Sequence, residues 1–244
     1  IRFNHVSCRF NNAENCVVHD SSVFAMPGET VAIIGETGAG QPSLLNLIPR
    51  YYDVEKGAIE IDGVDIRQMK QSELSSLIEL VPQKITIFSG TINDNIRFGK
   101  QDATEEEIIH ACRIAQADEF IQVLPEKYET EIAQGGTNIS GGQKQRLSIA
   151  RAIVKKPQIY LFDDSFSALD FKTDAKVREA LGNETKEATV IIVAQRVSSI
   201  IHADKILVMD NGKIVGEGTH QDLLRNNGIY KEIAASQLSE EELM

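Results

Sequence analysis

The chain has 244 residues, 42% hydrophobic and 25% charged, enough to bury a sizeable core. A net charge of −11 and a pI of about 5.0 argue against a general nucleic-acid binder. No run of about 18 apolar residues is present to span a membrane. Cys8, Cys16 and Cys112 are odd in number and share no metal-type spacing, so they read as reduced intracellular thiols. The opening residues Ile1-Arg2-Phe3-Asn4-His5 carry no signal-peptide pattern and start directly in strand-like sequence, as expected of a domain excised from a longer chain.

In chain order, Ile1 to Phe10 alternates apolar and polar residues, which suggests an edge strand. Asn11 to Asn15 is a turn cluster, and a strand over Ser22 to Ala25 runs into a Pro27-Gly28 turn. The segment Glu29 to Ile34 carries an apolar strand into Gly35-Glu36-Thr37-Gly38-Ala39-Gly40-Gln41-Pro42-Ser43. Leu44 to Ile48 then opens a helix that ends near Arg50. Strand, glycine-rich loop and helix is the layout of a phosphate-binding P-loop, G-x-x-x-x-G-K-[ST], in which backbone amides and a helix N-terminus receive phosphate. Gly35, Gly38 and Gly40 fit that pattern; Gln41 stands at the lysine position and Pro42 at the metal-binding hydroxyl. A plain glycine-rich turn is the alternative.

Further on, Ala58 to Ile61 is a short strand before an Asp62-Gly63 hairpin signal, and Leu77 to Val81 is a strand ending at Pro82-Gln83. From Thr91 to Leu124 the pattern is helical and lacks strand signals, with Glu105-Glu106-Glu107 suited to a helix N-terminus. Asn138 to Gln143 precedes a helix from about Lys144 to Val154. Gln158 to Phe162 is an apolar strand ending in Asp163-Asp164, and Thr189 to Val193 is another, ending in Ala194-Gln195. Lys205 to Met209 and Lys213 to Val215 flank an Asn211-Gly212 hairpin turn, and the end is helical with a solvated Glu240-Glu241-Glu242 tail. Buried strands alternating with helices predict a parallel α/β core, which binds ligands beyond the C-terminal ends of its strands. That topology places Gly35, Gln83, Asp163, Asp164 and Gln195 along one sheet edge.

Four stretches agree on a family. Asn138-Ile139-Ser140-Gly141-Gly142-Gln143 is similar to the signature of ATP-binding cassette (ABC) transporters, and Ser167-Ala168-Leu169-Asp170 to their D-loop. Gln83 resembles the Q-loop glutamine, and Phe88 to Ile96 resembles the segment that follows it in exporters. The resemblance runs from Phe10 to the C-terminal helices. It implies an α/β P-loop NTPase with a parallel sheet core, an N-terminal antiparallel β subdomain and an α-helical signature subdomain. It implies one ABC domain over 1–244, with core and β subdomain at 1–83 and 157–244 and the helical subdomain at 84–156. It also implies ATP and Mg²⁺ as cofactors, bound between the P-loop of one domain and the signature of a second. The implied partners are that second nucleotide-binding domain and the transmembrane domains of an exporter, at the cytoplasmic face of the cell membrane, with no nucleic acid.

Carried over residue by residue, the resemblance makes Gly35, Thr37, Gly38, Ala39, Gly40, Gln41, Pro42 and Ser43 the phosphate cradle. It makes Phe10 the aromatic that stacks on adenine, with core packing as the alternative. Gln83 and Asp163 become the Mg²⁺ residues, with a simple loop role open for Gln83. Asp164 stands where the family has the glutamate that polarises attacking water, and a helix-capping carboxylate is the alternative. Gln195 stands at the switch histidine.

Four of these positions depart from the pattern. Gln41 offers a neutral amide instead of a charge; Pro42 has neither N–H nor hydroxyl. Asp164 is one methylene shorter than glutamate, and Gln195 cannot take up a proton near neutral pH. Together they predict an impaired cis site, as in the non-hydrolysing half of a heterodimeric exporter. The trans half-site is intact: Ser140, Gly141, Gly142 and Gln143, with Asp170 crossing to the opposing site, are expected to complete a partner's active site. A competent homodimeric ATPase and a soluble repair or translation cassette are the competing readings, and the exporter-like Phe88 to Ile96 segment speaks against the second.

Overall fold

Two sheets stand back to back around the glycine-rich loop. The computed structural model describes residues 1–9 and 17–239, so Phe10, Cys16 and the acidic tail lie outside the described residues. The chain begins with β1 (Arg2–Cys8), β2 (Val18–Phe24), β3 (Thr30–Gly35), α1 (Gln41–Leu47), β4 (Lys56–Ile61) and β5 (Val64–Asp65). It continues with α2 (Gln71–Leu77), β6 (Ile78–Val81), β7 (Gly90–Thr91), α3 (Ile92–Arg97), α4 (Glu105–Ile114), α5 (Asp118–Gln122) and β8 (Glu131–Ile132). The last part holds α6 (Gly141–Lys155), β9 (Ile159–Asp163), α7 (Phe171–Glu184), β10 (Thr189–Val193), β11 (Lys205–Asp210), β12 (Lys213–Gly218), α8 (His220–Asn226) and α9 (Gly228–Ala235).

The larger sheet has the order β12-β11-β3-β10-β9-β6, parallel from β11 to β6 with β12 antiparallel at one edge. Its parallel strands are largely apolar because both faces are covered, one by helices and the other by α1 with the smaller sheet; Val31, Ala32, Ile33 and Ile34 of β3 are all buried. The smaller sheet, β2-β1-β4-β5, is antiparallel. Here the expectation for the N-terminal strand is corrected: β1 is an interior strand, paired to β2 on one side and β4 on the other. Alternation reports that one face is buried, through Phe3, Val6 and Cys8, and is silent about hydrogen bonds at the strand's flanks.

Helix α1 buries Leu44, Leu45 and Leu47 in the core between the sheets, and Pro42 sits in its first turn, where a missing N–H costs nothing. Helices α2 and α7 carry no clear apolar stripe, burying only Leu74 in the first and Asp174, Val177 and Leu181 in the second. One short strand pair, β7 with β8, brackets the stretch read as helical, at its start and beyond its end. Cys8 and Cys112 are buried, and burial pushes the Cys112 thiol up to about 12. Among the described residues, no helix is long and apolar enough to cross a membrane.

Candidate functional site

Parallel register brings the predicted site residues level. Val193 lies opposite both Ile33 and Asp163, and Val81 lies opposite Phe162, so β3, β10, β9 and β6 end together. Beyond those ends opens a cleft of about 750 Å³. Gly35, Thr37, Gly38, Gln41, Pro42, Gln83, Asp163 and Gln195 all line it, as the topology required. Ala39, Gly40 and Ser43 belong to the same loop and helix start without being part of its wall.

Close backbone approach explains two of the loop glycines. A Cβ on Gly35 would stand 2.2 Å from the Met209 carbonyl oxygen. Gly40 has φ +104°, and a Cβ there would stand 2.7 Å from the Val17 oxygen. The loop is tied down from behind: Gly212 N–H donates to the Ala39 carbonyl at 2.9 Å, and His19 N–H to the Gly212 carbonyl at 2.8 Å. Its frame is therefore braced by the β11–β12 hairpin.

Gln41 is only 5% exposed. Its Nε2 folds back toward the Glu36 carbonyl at 3.4 Å, so the amide serves the loop's own backbone. Pro42 is exposed at the cleft wall and presents only ring carbons.

Gln83 Nε2 donates to Asp164 Oδ2 at 3.1 Å, joining the end of β6 to the end of β9. Asp164 has φ +45°, and its N–H donates to the Val193 carbonyl at 2.9 Å. The alternative of a helix cap fails for Asp164, because Asp170 is the cap of α7. Burial, and then the neighbouring Asp164 carboxylate, raise the Asp163 pKa above the usual carboxylate range. A half-buried carboxylate strained by a second one is a site a divalent cation would relieve, so this donor set fits Mg²⁺, with the Gln83 Oε1 as a further oxygen.

The signature segment lies elsewhere: none of the residues lining the cleft comes from 140–143, and Asp170 is also absent from its wall. Ser140 Oγ accepts from Gln143 N–H at 3.2 Å, while Gln143 Oε1 accepts from Ser140 N–H at 2.8 Å. This is a capping box, and it starts α6 at Gly141 rather than near Lys144. The Ser140 hydroxyl proton remains free to be donated. Gly141 faces open space, while a Cβ on Gly142 would stand 3.3 Å from the Ala168 carbonyl oxygen. Gln145 Oε1 accepts from Ala168 N–H at 2.9 Å, so α6 and the 167–170 turn form one unit. Asp170 accepts from Thr173 N–H at 3.0 Å, which holds its carboxyl below the usual range.

Sequence reading missed the contribution of the C-terminal helix. Glu232, Ile233, Ser236 and Gln237 form one wall of the cleft, opposite residues nearly 200 positions earlier. Nothing local marks them, because α9 reads as an ordinary amphipathic helix. Arg196 was also passed over; its Nη2 donates to the carbonyls of Phe166, Ser167 and Leu169.

A family model described as ABC transporter matches residues 18–167. An uncharacterized ABC transporter ATP-binding protein of Mycobacterium tuberculosis is 48% identical over 240 residues, covering 97% of this chain and 41% of that protein. A protein of Staphylococcus aureus, provisionally named a multidrug export ATP-binding/permease protein, is 44% identical over 237 residues, covering 97% of this chain and 41% of that one. A bacterial Atm1-family ABC exporter with ATP bound superposes with a TM-score of 0.94 at 38% identity, over 98% of this chain and 42% of that one. The chain thus spans about two fifths of the length of the relatives it matches.

Proposed function

The chain belongs to the ABC transporter family, and from that premise we propose that it is the ATP-binding domain of a membrane exporter. In this reading its own cleft holds nucleotide weakly, and its signature completes the cleft of a partner domain. The observation that carries the reading is the charge of the cleft wall. Its lining residues include the acids Glu36, Asp163 and Glu232 and no lysine, arginine or histidine. Among the described residues lining such a cleft, a triphosphate meets no side-chain cation.

The residues then have the following tasks. Backbone amides of the 35–43 loop face the phosphates, with Gly38 leaving room for close approach. Gln41 brings at best a neutral hydrogen bond. Such a bond is worth about 1 kcal/mol net, against roughly 1.5–3 for one to a charged group, so affinity falls by roughly 2- to 30-fold. Pro42 removes one donor and one metal ligand together. Asp163 and Gln83 would hold Mg²⁺, which when bound supplies positive charge at the β- and γ-phosphates. Asp164, shorter than glutamate and already engaged by Gln83, is poorly placed to take a proton from water. Gln195 can donate a hydrogen bond to a terminal phosphate and cannot exchange a proton with it. Phe10 would stack on the adenine.

On the other face, Ser140 with Gly141, Gly142 and Gln143 offers a free hydroxyl proton, an open backbone and the positive end of α6 to a nucleotide held by another chain. Asp170 would reach across beside them. The asymmetry favours a partner that supplies its own lysine and base, hence a heterodimer over a homodimer. In the same reading the chain has two subdomains, 84–156 carrying the signature and 1–83 with 157–244 carrying the P-loop. Transmembrane domains would complete the exporter at the cytoplasmic face of the membrane. Mg·ATP turnover by the chain alone and in mixtures with candidate partner domains tests this. The expected result is negligible turnover alone and a gain on mixing. Turnover of ~1–100 s⁻¹ by the chain alone contradicts it.

A further inference from the structure

Glutamine 237 lies just past the end of α9 and makes a two-point contact with the loop after β10. Its Nε2 donates to the Gln195 carbonyl at 2.9 Å, and its Oε1 accepts from Val197 N–H at 2.8 Å. One planar amide thus holds the carbonyl of one residue and the N–H of the second residue on, as a neighbouring strand would. Between these two points sits Arg196, whose guanidinium donates to the carbonyls of Phe166, Ser167 and Leu169. The three-residue loop is therefore held from α9, while its side chains serve two places: Gln195 lines the cleft and Arg196 grips the D-loop segment.

Helix α9 is itself firmly seated. Tyr230 is fully buried and its hydroxyl lies 2.7 Å from His220 Nδ1 on α8. Asn227 caps the helix by accepting from Tyr230 N–H at 2.8 Å. Its far end, with Ser236 and Gln237, is part of the cleft wall.

We propose that Gln237 is a positioning residue for Gln195, by which the docked end of α9 fixes the cleft's contact to the terminal phosphate of a bound nucleotide. The inference rests on reading the cleft as an ATP site. It goes beyond that reading by making the C-terminal helix part of the site's discrimination between triphosphate and diphosphate. The mechanism is geometric. A loop whose backbone is pinned at residues 195 and 197 presents its side chains without having to order them on binding, and that ordering otherwise weakens the complex.

The test uses Gln237→Leu, which keeps the shape and removes both hydrogen bonds, and Gln237→Ala, which removes both without adding charge to the cleft wall. Mg·ATP and Mg·ADP are titrated by calorimetry into the unmodified chain, each variant, and each variant combined with Gln195→Ala. Amide hydrogen exchange is followed at Val197 and, as a fold control, at Leu207 in β11. The expected result is a roughly threefold to tenfold loss for Mg·ATP in Gln237→Leu, little change for Mg·ADP, and no further loss once Gln195 is alanine. Gln237→Ala should show the same pattern, and carries the test if the leucine variant fails to fold. Protection should fall at Val197 and persist at Leu207. Equal losses for both nucleotides, no loss for either, or a loss that persists in the Gln195→Ala background overturns this inference alone. Failure of the unmodified chain to bind either nucleotide overturns the reading of the cleft and this inference with it.

Discussion

Gln83 and Asp164 meet across two strand ends, Nε2 to Oδ2 at 3.1 Å. In the proposed reading the contact joins the residue that would hold Mg²⁺ to the residue that stands in the place of the catalytic base. It leaves the short Asp164 carboxylate occupied before any water arrives. Asp164→Glu alone should therefore leave turnover low, because Gln41 and Pro42 still hold the triphosphate only weakly in the proposed reading. In a Gln41→Lys, Pro42→Ser background the same change should raise single-turnover hydrolysis by about 10²-fold or more, the range typical of a general base. An equal gain in both backgrounds would show that the base, not the loop, limits this cleft.

Removing the strained carboxylate should separate stability from function. Burial and Asp164 raise the Asp163 pKa, so the folded chain holds that proton more tightly than the unfolded chain does. The group therefore costs stability as pH rises through its raised value. Asp163→Asn should raise Tm at neutral pH, by about 2 °C if the screened, half-buried charge costs roughly 0.5–1 kcal/mol. The same variant should lose the Mg²⁺ dependence of nucleotide binding. Thermal melts at pH 7 with and without Mg·ATP report both.

Glu232 adds a negative charge to a wall that already carries Glu36 and Asp163. Glu232→Gln should strengthen Mg·ATP binding by about twofold to fivefold at low salt, with the gain shrinking at high ionic strength as the charges are screened. An unchanged affinity at low salt would place α9 too far from the phosphates to matter.

The Ser140 hydroxyl caps α6, and a pair of substitutions can tell this apart from its proposed task toward a partner's nucleotide. Ser140→Ala removes the cap of α6 and should cost about 1 kcal/mol of stability. Ser140→Asp keeps a good cap but puts a carboxylate where a partner's γ-phosphate would arrive. Its Tm should stay near the unmodified value while stimulation of a partner's ATPase is lost. Retained stimulation by the aspartate variant would confine Ser140 to capping.

How far the sequence could be read depended on whether the signal was local. Strand ends are marked by apolar runs followed by Gly35, Gln83, Asp163 and Gln195, and parallel topology alone carries those four to one edge. The capping box at Ser140 was also legible, since a serine followed three residues later by glutamine is its signature; the glycines at 141 and 142 drew the helix start too late instead. Helix α7 hid because its short apolar set, Val177 and Leu181, shares its buried face with Asp174. Glu232 and Gln237 were out of reach, because their place in the cleft is a product of tertiary packing and has no pattern of its own.

The central claim is that Gln41 and Pro42 weaken a cleft whose frame is sound. The most direct measurement is an Mg·ATP titration of the unmodified chain beside its Gln41→Lys, Pro42→Ser double variant. The account predicts that the double variant binds at least about tenfold more tightly, with the fold unchanged. Equal affinities for the two proteins would contradict it.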